Sequence, residues 1–199
     1  RMVARGWTAP SWPKEYGGGG LDAAQARVLK QEMARIGAVE PLQSLGLMML
    51  GWAILKFGTE EQKLEHLTNI TQGKIRWAQG YSEPGAGSDL ASLTTRGEDR
   101  GDHFVVNGQK IWTTYGHKAD MVFTLVRTEP DAPKHQGISF LLIDMDQPGV
   151  NAKPIRMISG NEHFAQTFFD DAIVPRANLL GEQGKGWDVA KYLLTFERS

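Results

Sequence analysis

Residues 81–89 read Tyr-Ser-Glu-Pro-Gly-Ala-Gly-Ser-Asp (YSEPGAGSD), with two glycines, two serines and two carboxylates in nine positions. Glycine lets a backbone approach a ligand closely, and successive backbone N–H groups in such a loop can bind an anion. The hydroxyls of Ser82 and Ser88 can donate to a polar ring edge or to a phosphate. The stretch is therefore either a surface β-turn, which commonly has this composition, or a backbone cradle for a ligand.

A second segment, NGQKIWTT at 107–114, adds an aromatic residue to the candidate site. Trp112 offers a flat face on which an aromatic cofactor can stack, although an ordinary core tryptophan would explain the same residue. Asn107-Gly108 lies between two runs of strand-forming residues, which is typical of a two-residue hairpin. We expect a β-hairpin whose turn is Asn107-Gly108.

The spacing of apolar residues changes along the chain. From Leu21 to Ile70 it is helical, with helix starts at Asp22 and Thr59. From Lys74 onwards, strand-like runs alternate with turns rich in Pro, Gly and Asp. This order predicts an α+β fold with three parts: an N-terminal helical domain (residues 1–73), an antiparallel β-barrel or sandwich-like middle domain (74–183) and the start of a C-terminal helical bundle (184–199).

Composition excludes several classes of function. The 199 residues carry a net charge of -1 and no cysteine, so neither a nucleic-acid surface nor a disulfide or thiolate metal site is expected. The five histidines lack metal-ligand spacing, and no P-loop, Rossmann or serine-hydrolase signature is present. The longest uncharged run, 41–55, is too short to span a membrane. We expect a cytoplasmic protein and, because the chain starts at Arg1 and stops inside a helical pattern, a piece of a longer one.

Several linked segments resemble the acyl-CoA dehydrogenase family. FGTEEQK (57–63) precedes YSEPGAGSD, and NGQKIWTT follows it. VRTEP, GISFLLIDM, GVNAKPI and FFDDAIVPRANLLGEQGKGW then come in the family's order. The resemblance covers essentially the whole chain and is strongest to the bacterial branch with pimeloyl-CoA dehydrogenase large subunits and steroid side-chain acyl-CoA dehydrogenases. It implies that most of the C-terminal helical domain is missing here.

The resemblance implies a site for FAD and an acyl-CoA. Ser82 would meet the pyrimidine edge of the flavin, Trp112 would pack on the ring and the Thr114 hydroxyl would neighbour N5. Ser88 would contact the cofactor phosphates or the CoA moiety, and Arg198 would help to shape the acyl-CoA site. The implied cofactor-binding residues are Gln79, Tyr81, Ser82, Gly87, Ser88, Trp112, Thr113 and Thr114.

The family's reaction needs a carboxylate that removes the α-proton of the acyl thioester. In some members this glutamate precedes an arginine on the first helix after the β-domain, a position held here by Glu197 before Arg198. Glu197 also falls on the apolar face of that helix, three and four residues after Leu194 and Leu193. From spacing alone, a solvated residue at a frayed helix end is the better explanation. With the resemblance, Glu197 is the expected catalytic base.

Two alternatives remain open. The chain could belong to an acyl-CoA oxidase or flavin monooxygenase of the same superfamily, or to a non-catalytic subunit of a heteromeric dehydrogenase. The resemblance further implies an electron-transfer flavoprotein as electron acceptor and a homo- or hetero-oligomer, as dimer or tetramer. Glu83 and Asp89 are expected to have turn and capping roles rather than catalytic ones.

Overall fold

The computed structural model, which describes residues 1–39 and 43–197, begins with helices, continues with strands and ends with a helix. The helices are α1 (Ala23–Arg35), α2 (Gly51–Phe57), α3 (Glu60–Gln62), α4 (Thr68–Thr71) and α5 (Gly186–Glu197). π-Helical turns lead into α2 (Gly46–Leu50) and join α3 to α4 (Lys63–Leu67). The strands are β1 (Trp77–Gly80), β2 (Arg96–Asp99), β3 (His103–Thr114), β4 (Met121–Arg127), β5 (Ile138–Asp144), β6 (Val150–Ile155) and β7 (Phe164–Pro175).

Both predicted helix starts are confirmed as capping boxes. The Asp22 carboxylate accepts from the Gln25 backbone N–H at 2.8 Å, and the Gln25 side chain accepts from the Asp22 N–H at 3.1 Å. Thr59 and Gln62 form the same reciprocal pair at the start of α3. Such pairs satisfy backbone donors that the first helical turn leaves free.

The strands form one sheet in the order β1-β4-β2-β3-β7-β6, with β5 pairing with β4. Most pairs are antiparallel, but β1 and β2 both pair with β4 in parallel. The predicted fold class is confirmed, with this mixed pairing as a refinement. The exact limits of the three predicted domains stay a prediction.

Both faces of the sheet centre are buried. On β4, Phe123 and Leu125 pack with the helical layer and α5, whereas Val122 and Val126 pack with residues of β3 and β7. Because successive side chains on a strand point to opposite faces, one strand contributes to two cores. The sheet is therefore held between the helices on one side and its own curled half on the other.

The hairpin predicted at Asn107-Gly108 is wrong. β3 runs unbroken through both residues, and its register against β7 shifts between Val106 and Gly108. The Asn107 side chain donates to the Asp171 carboxylate at 2.8 Å and accepts from the Asp171 N–H at 2.9 Å. A Cβ on Gly108 would lie 2.6 Å from the Thr95 hydroxyl. Asn107 lies opposite a β-bulge in β7, where Asp171 has a φ of 50°, and β7 is long enough to pair with β3 on both sides of the bulge.

Aromatic contacts fix α5 against the helical layer. Phe196 stacks on Trp52 with ring centroids 5.3 Å apart, and Tyr192 meets Phe57 edge-to-face at 5.5 Å. In contrast, α1 buries no residue, and both its Val28 and the Ile36 that follows it are exposed. No helix among the described residues is both long and apolar enough to cross a bilayer.

Candidate functional site

The glycine-rich loop follows β1 and is hydrogen-bonded to β3. Glu83 and Ala86 close a tight turn by exchanging backbone hydrogen bonds of 2.9 and 3.1 Å. The Ser82 carbonyl accepts from the Ile111 N–H on β3 at 2.9 Å. The structure thus brings the two segments singled out in the sequence side by side.

A buried ion pair lies beneath this loop. The Lys110 ammonium donates to the Glu83 carboxylate at 2.8 Å and to the Tyr81 carbonyl at 3.1 Å. The same carboxylate accepts from the backbone N–H groups of Thr94 at 2.7 Å and Thr95 at 2.9 Å. Glu83 therefore has a structural role, which agrees with the expected turn and capping function.

The surroundings shift the pKa of both partners. Burial opposes the charged form of Glu83, but the charge and hydrogen bonds of Lys110 and the bonds from Thr94 and Thr95 outweigh it and lower the pKa of Glu83 to about 2. Burial lowers the pKa of Lys110 to about 8, against the attraction of Glu83. Sequence reasoning missed Lys110. The alternation of buried and exposed residues along β3 could have identified it, because Lys110 has the same parity as the buried Phe104 and Val106.

The loop leaves open space where glycines stand. A Cβ at Gly85 or Gly87 would meet no atom within 4 Å, and neither residue has a positive φ. Ser88 is exposed, and Ser82 and Gln79 are half-buried. Neither a close contact nor a strained backbone within the described residues requires glycine at positions 85 and 87. Glycine at such positions is expected where a ligand approaches the backbone closely.

Trp112 has an unusual conformation beside the loop. Its φ is 60°, and its side chain is 54% exposed although it belongs to a long strand. The register against β7 shifts between Lys110 and Thr113, so Trp112 stands in a bulge, where its ring meets Phe164 edge-to-face. The core-tryptophan interpretation is therefore wrong for Trp112. Exposed, strained aromatic residues are found preferentially at functional sites.

The two threonines after Trp112 differ in orientation. Thr113 is fully buried and its hydroxyl accepts from Thr167 at 3.2 Å, so its side chain points into the sheet. Thr114 is half-buried and lines a cavity of about 820 Å³. Met48, on the opposite wall of this cavity, is exposed, whereas Met49 is buried in the core. The cavity lies between the helical layer and the end of β3.

Glu197 is exposed at the end of α5, one residue after the Phe196 ring that stacks on Trp52. Burial raises the pKa of Tyr81, the negative charge of Glu197 raises it further, and the Gln79 side chain acts in the opposite direction. The charge of Glu197, the expected base, thus acts on the first residue of the loop. Arg198 lies outside the described residues.

Two family profiles match the chain. The profile of the acyl-CoA dehydrogenase N-terminal domain matches residues 1–74, and that of the acyl-CoA dehydrogenase middle domain matches residues 78–172. The chain belongs to the acyl-CoA dehydrogenase family. The fold and the family resemblance expected from the sequence are both confirmed.

Individual acyl-CoA dehydrogenases are similar over the whole chain. "Acyl-CoA dehydrogenase IpdE1" of Mycobacterium tuberculosis is 44% identical over 198 residues, which are 100% of this chain and 51% of that protein. A solved "Tcur3481-Tcur3483 steroid ACAD G363A variant" is 40% identical with a TM-score of 0.86, covering 99% of this chain and 51% of that one. The "ChsE4-ChsE5 complex from Mycobacterium tuberculosis" is 40% identical with a TM-score of 0.82, and the match covers 98% of this chain and 50% of that one. The chain thus spans about half the length of the relatives it matches.

The residues of this candidate site fit FAD, the cofactor that the family implies. A flat heterocycle suits the exposed face of Trp112, and the hydroxyls of Ser82 and Thr114 suit its polar edge. The open space at Gly85 and Gly87 would let a phosphate approach the backbone of the loop. The Thr113 hydroxyl is already bonded to Thr167, so only the main chain of Thr113 faces this side.

Proposed function

We propose that this chain is part of an enzyme that removes hydrogen from the α and β carbons of an acyl-CoA thioester with FAD as cofactor. The observation that carries the proposal is the Trp112 ring, which is 54% exposed and stands in a bulge of β3 directly after Ile111, the residue that binds the loop at Ser82. The family resemblance gives the role of base to Glu197, whose charge acts on the buried Tyr81 of the same loop. Family membership supports the same reaction class.

The site residues divide into those that hold the cofactor and those that bind the acyl-CoA. Trp112, Ser82, Thr114 and the backbone around Gly87 hold and orient the cofactor, and Ser88 binds phosphate of the cofactor or of CoA. FAD, when bound, supplies the acceptor for the hydride that leaves the β-carbon. Gln79 and Tyr81 form the wall between the cofactor loop and α5, and Arg198 helps to bind the acyl-CoA.

Glu197 is the base in this scheme. An exposed carboxylate is a weak base toward a carbon acid, but an acyl group seated against it removes water from its surroundings. Desolvation raises a carboxylate's pKa and improves its match to the proton that it must take. Binding of the substrate would therefore make Glu197 a stronger base.

The test is Glu197→Gln in the complete protein as the cell makes it. We expect FAD to stay bound and the rate at which acyl-CoA removes its visible absorbance to fall by about 10²–10⁴-fold, the usual contribution of a general base. Asp188→Asn is the matched control, because Asp188 is an exposed carboxylate on the same helix that pairs with Lys191 at the surface. A normal rate in Glu197→Gln would exclude this residue as the base.

A second candidate is a subunit of a heteromeric dehydrogenase. Two of the similar structures are named for pairs of chains, and one of them as a steroid ACAD. By this similarity we propose a homo- or hetero-oligomer, an acyl-CoA with a bulky steroid-derived acyl group, and an electron-transfer flavoprotein as acceptor, in the cytoplasm. Co-expression with candidate partner chains, followed by the Glu197→Gln test in each assembly, separates a catalytic subunit from a packing one.

A further inference from the structure

The Glu83–Lys110 pair is a buried charged feature that the proposed reaction does not use. Of the carboxylates and lysines in the described residues, these two alone are buried. Burying an ion pair costs about as much free energy as its attraction returns, and apolar residues of similar volume often serve equally well. Both pKa values are lowered, which favours the charged form of Glu83 but disfavours that of Lys110, and this agrees with the balance because each charge gains from the other and loses from burial. Global stability therefore does not explain why the pair is present.

The bonds of the pair converge on the cofactor loop. Lys110 holds the Tyr81 carbonyl and the Glu83 carboxylate, which lie on either side of Ser82. The next residue of the strand, Ile111, holds the Ser82 carbonyl. Three consecutive loop residues are thus fixed to two consecutive residues of β3.

The same strand carries the aromatic wall of the site. Trp112 follows Ile111 directly and stands in the bulge that begins after Lys110. Through Glu83, the pair also reaches the Thr94 and Thr95 N–H groups, where the far end of the loop returns to the sheet. One ammonium group therefore links both ends of the loop to the strand of Trp112.

We propose that Lys110 is a positioning residue for the cofactor: with Glu83 it sets the distance between the Ser82 side of the loop and the Trp112 ring. The inference rests on the proposed function, since it needs a ligand between those two walls. Lys110 itself lies beneath the loop and acts through Tyr81, Ser82 and Glu83. A loop without this link would still close its Glu83–Ala86 turn but would not hold a fixed spacing to Trp112.

The experiment compares FAD binding with stability in the complete protein. The double variant Glu83→Gln/Lys110→Met replaces the pair by neutral side chains of similar length, and Glu83→Asp keeps the charge but shortens its reach. Val174→Ala is the stability control, because Val174 is fully buried and pairs with Phe104, six residues and about 20 Å along β3 from Lys110. The measurements are the FAD dissociation constant, the reduction potential of bound FAD and the melting temperature.

We expect both pair variants to bind FAD about tenfold or more weakly, the effect of losing a charge-assisted hydrogen bond, and to shift the reduction potential. Val174→Ala should lower the melting temperature but change neither the FAD affinity nor the reduction potential. Wild-type affinity and potential in a folded pair variant, or an equal change in the control, would overturn the inference. Failure of the wild type to bind FAD would instead refute the proposed function, so the two failures are distinguishable.

Discussion

Trp112 combines a strained backbone with an exposed ring. A residue other than glycine in the left-handed region costs about 1–2 kcal/mol, and the exposed half of the indole gains nothing from burial. The edge contact with Phe164 returns about 0.5–1.5 kcal/mol. Trp112 therefore adds little to the stability of the fold, which supports the ligand-binding role that we propose for it.

Trp112→Gly should separate these two roles. Glycine relieves the backbone strain, so we expect a melting temperature close to that of the wild type. FAD affinity should fall about tenfold or more, because a stacked ring contributes about 1–3 kcal/mol. Titration of FAD, with Trp112→Phe as a control that keeps an aromatic face, measures the effect. Unchanged affinity in Trp112→Gly would mean that the ring does not contact the cofactor.

Gly87→Ala gives a complementary test on the other wall. The added methyl group meets open space and an ordinary φ, so stability should stay the same or rise by about 0.4–1 kcal/mol through a less flexible unfolded chain. FAD should bind more weakly, because the methyl occupies space that the proposed site leaves to the ligand. Urea unfolding without FAD measures the stability, and a binding titration measures the FAD affinity. Equal FAD affinity would show that the backbone at Gly87 is not approached.

Among the elements, β3 shows what local sequence patterns can and cannot predict. Its composition identified a strand, and the capping boxes at Asp22 and Thr59 identified helix starts, because those features depend on neighbours in sequence. Asn107-Gly108 is typical of a turn, but the strand continues through it because Asn107 binds Asp171 in a bulge of β7, 64 positions later. Lys110 was overlooked for the same reason, since its partner Glu83 comes from another segment.

The buried pair predicts a specific pH dependence. The pKa of Glu83 is lowered from 4.5 to about 2, so its ionised form stabilises the fold fully above about pH 4.5, and this stabilisation is lost as pH falls toward 2. The full shift corresponds to about 3 kcal/mol. The lowered pKa of Lys110 acts in the alkaline range with the same sign: burial of its charged form destabilises the fold, and this cost is relieved as pH rises from about 8 toward 10.5.

Urea unfolding of the wild type between pH 6 and pH 3 should therefore show a steeper loss of stability than the Glu83→Gln/Lys110→Met variant. The control compares both proteins at pH 7, where their unfolding free energies should be similar because the pair is nearly balanced. Parallel pH curves for the two proteins would contradict the assignment of Glu83 as an ionised buried group.

At the scale of the molecule, the site assembles from three parts of the chain. The loop after β1 and the Trp112 bulge come from the sheet, and the cavity wall at Met48 comes from the helical layer. The expected base comes from α5, which aromatic contacts with Trp52 and Phe57 fix in place. The sequence indicated the loop and Trp112 through their residue types. Glu197 followed only from the family resemblance, because its electrostatic effect on Tyr81 depends on packing between distant segments.

The central claim is that the loop at 81–89 and Trp112 hold FAD for acyl-CoA dehydrogenation. The most direct measurement is the visible absorption spectrum of the complete protein, recorded without oxygen before and after addition of a panel of acyl-CoAs that includes steroid-derived ones. We predict a yellow protein whose visible absorbance is lost on addition of at least one acyl class. A protein that stays colourless after FAD is supplied, or a yellow one that no acyl-CoA reduces, would contradict the account.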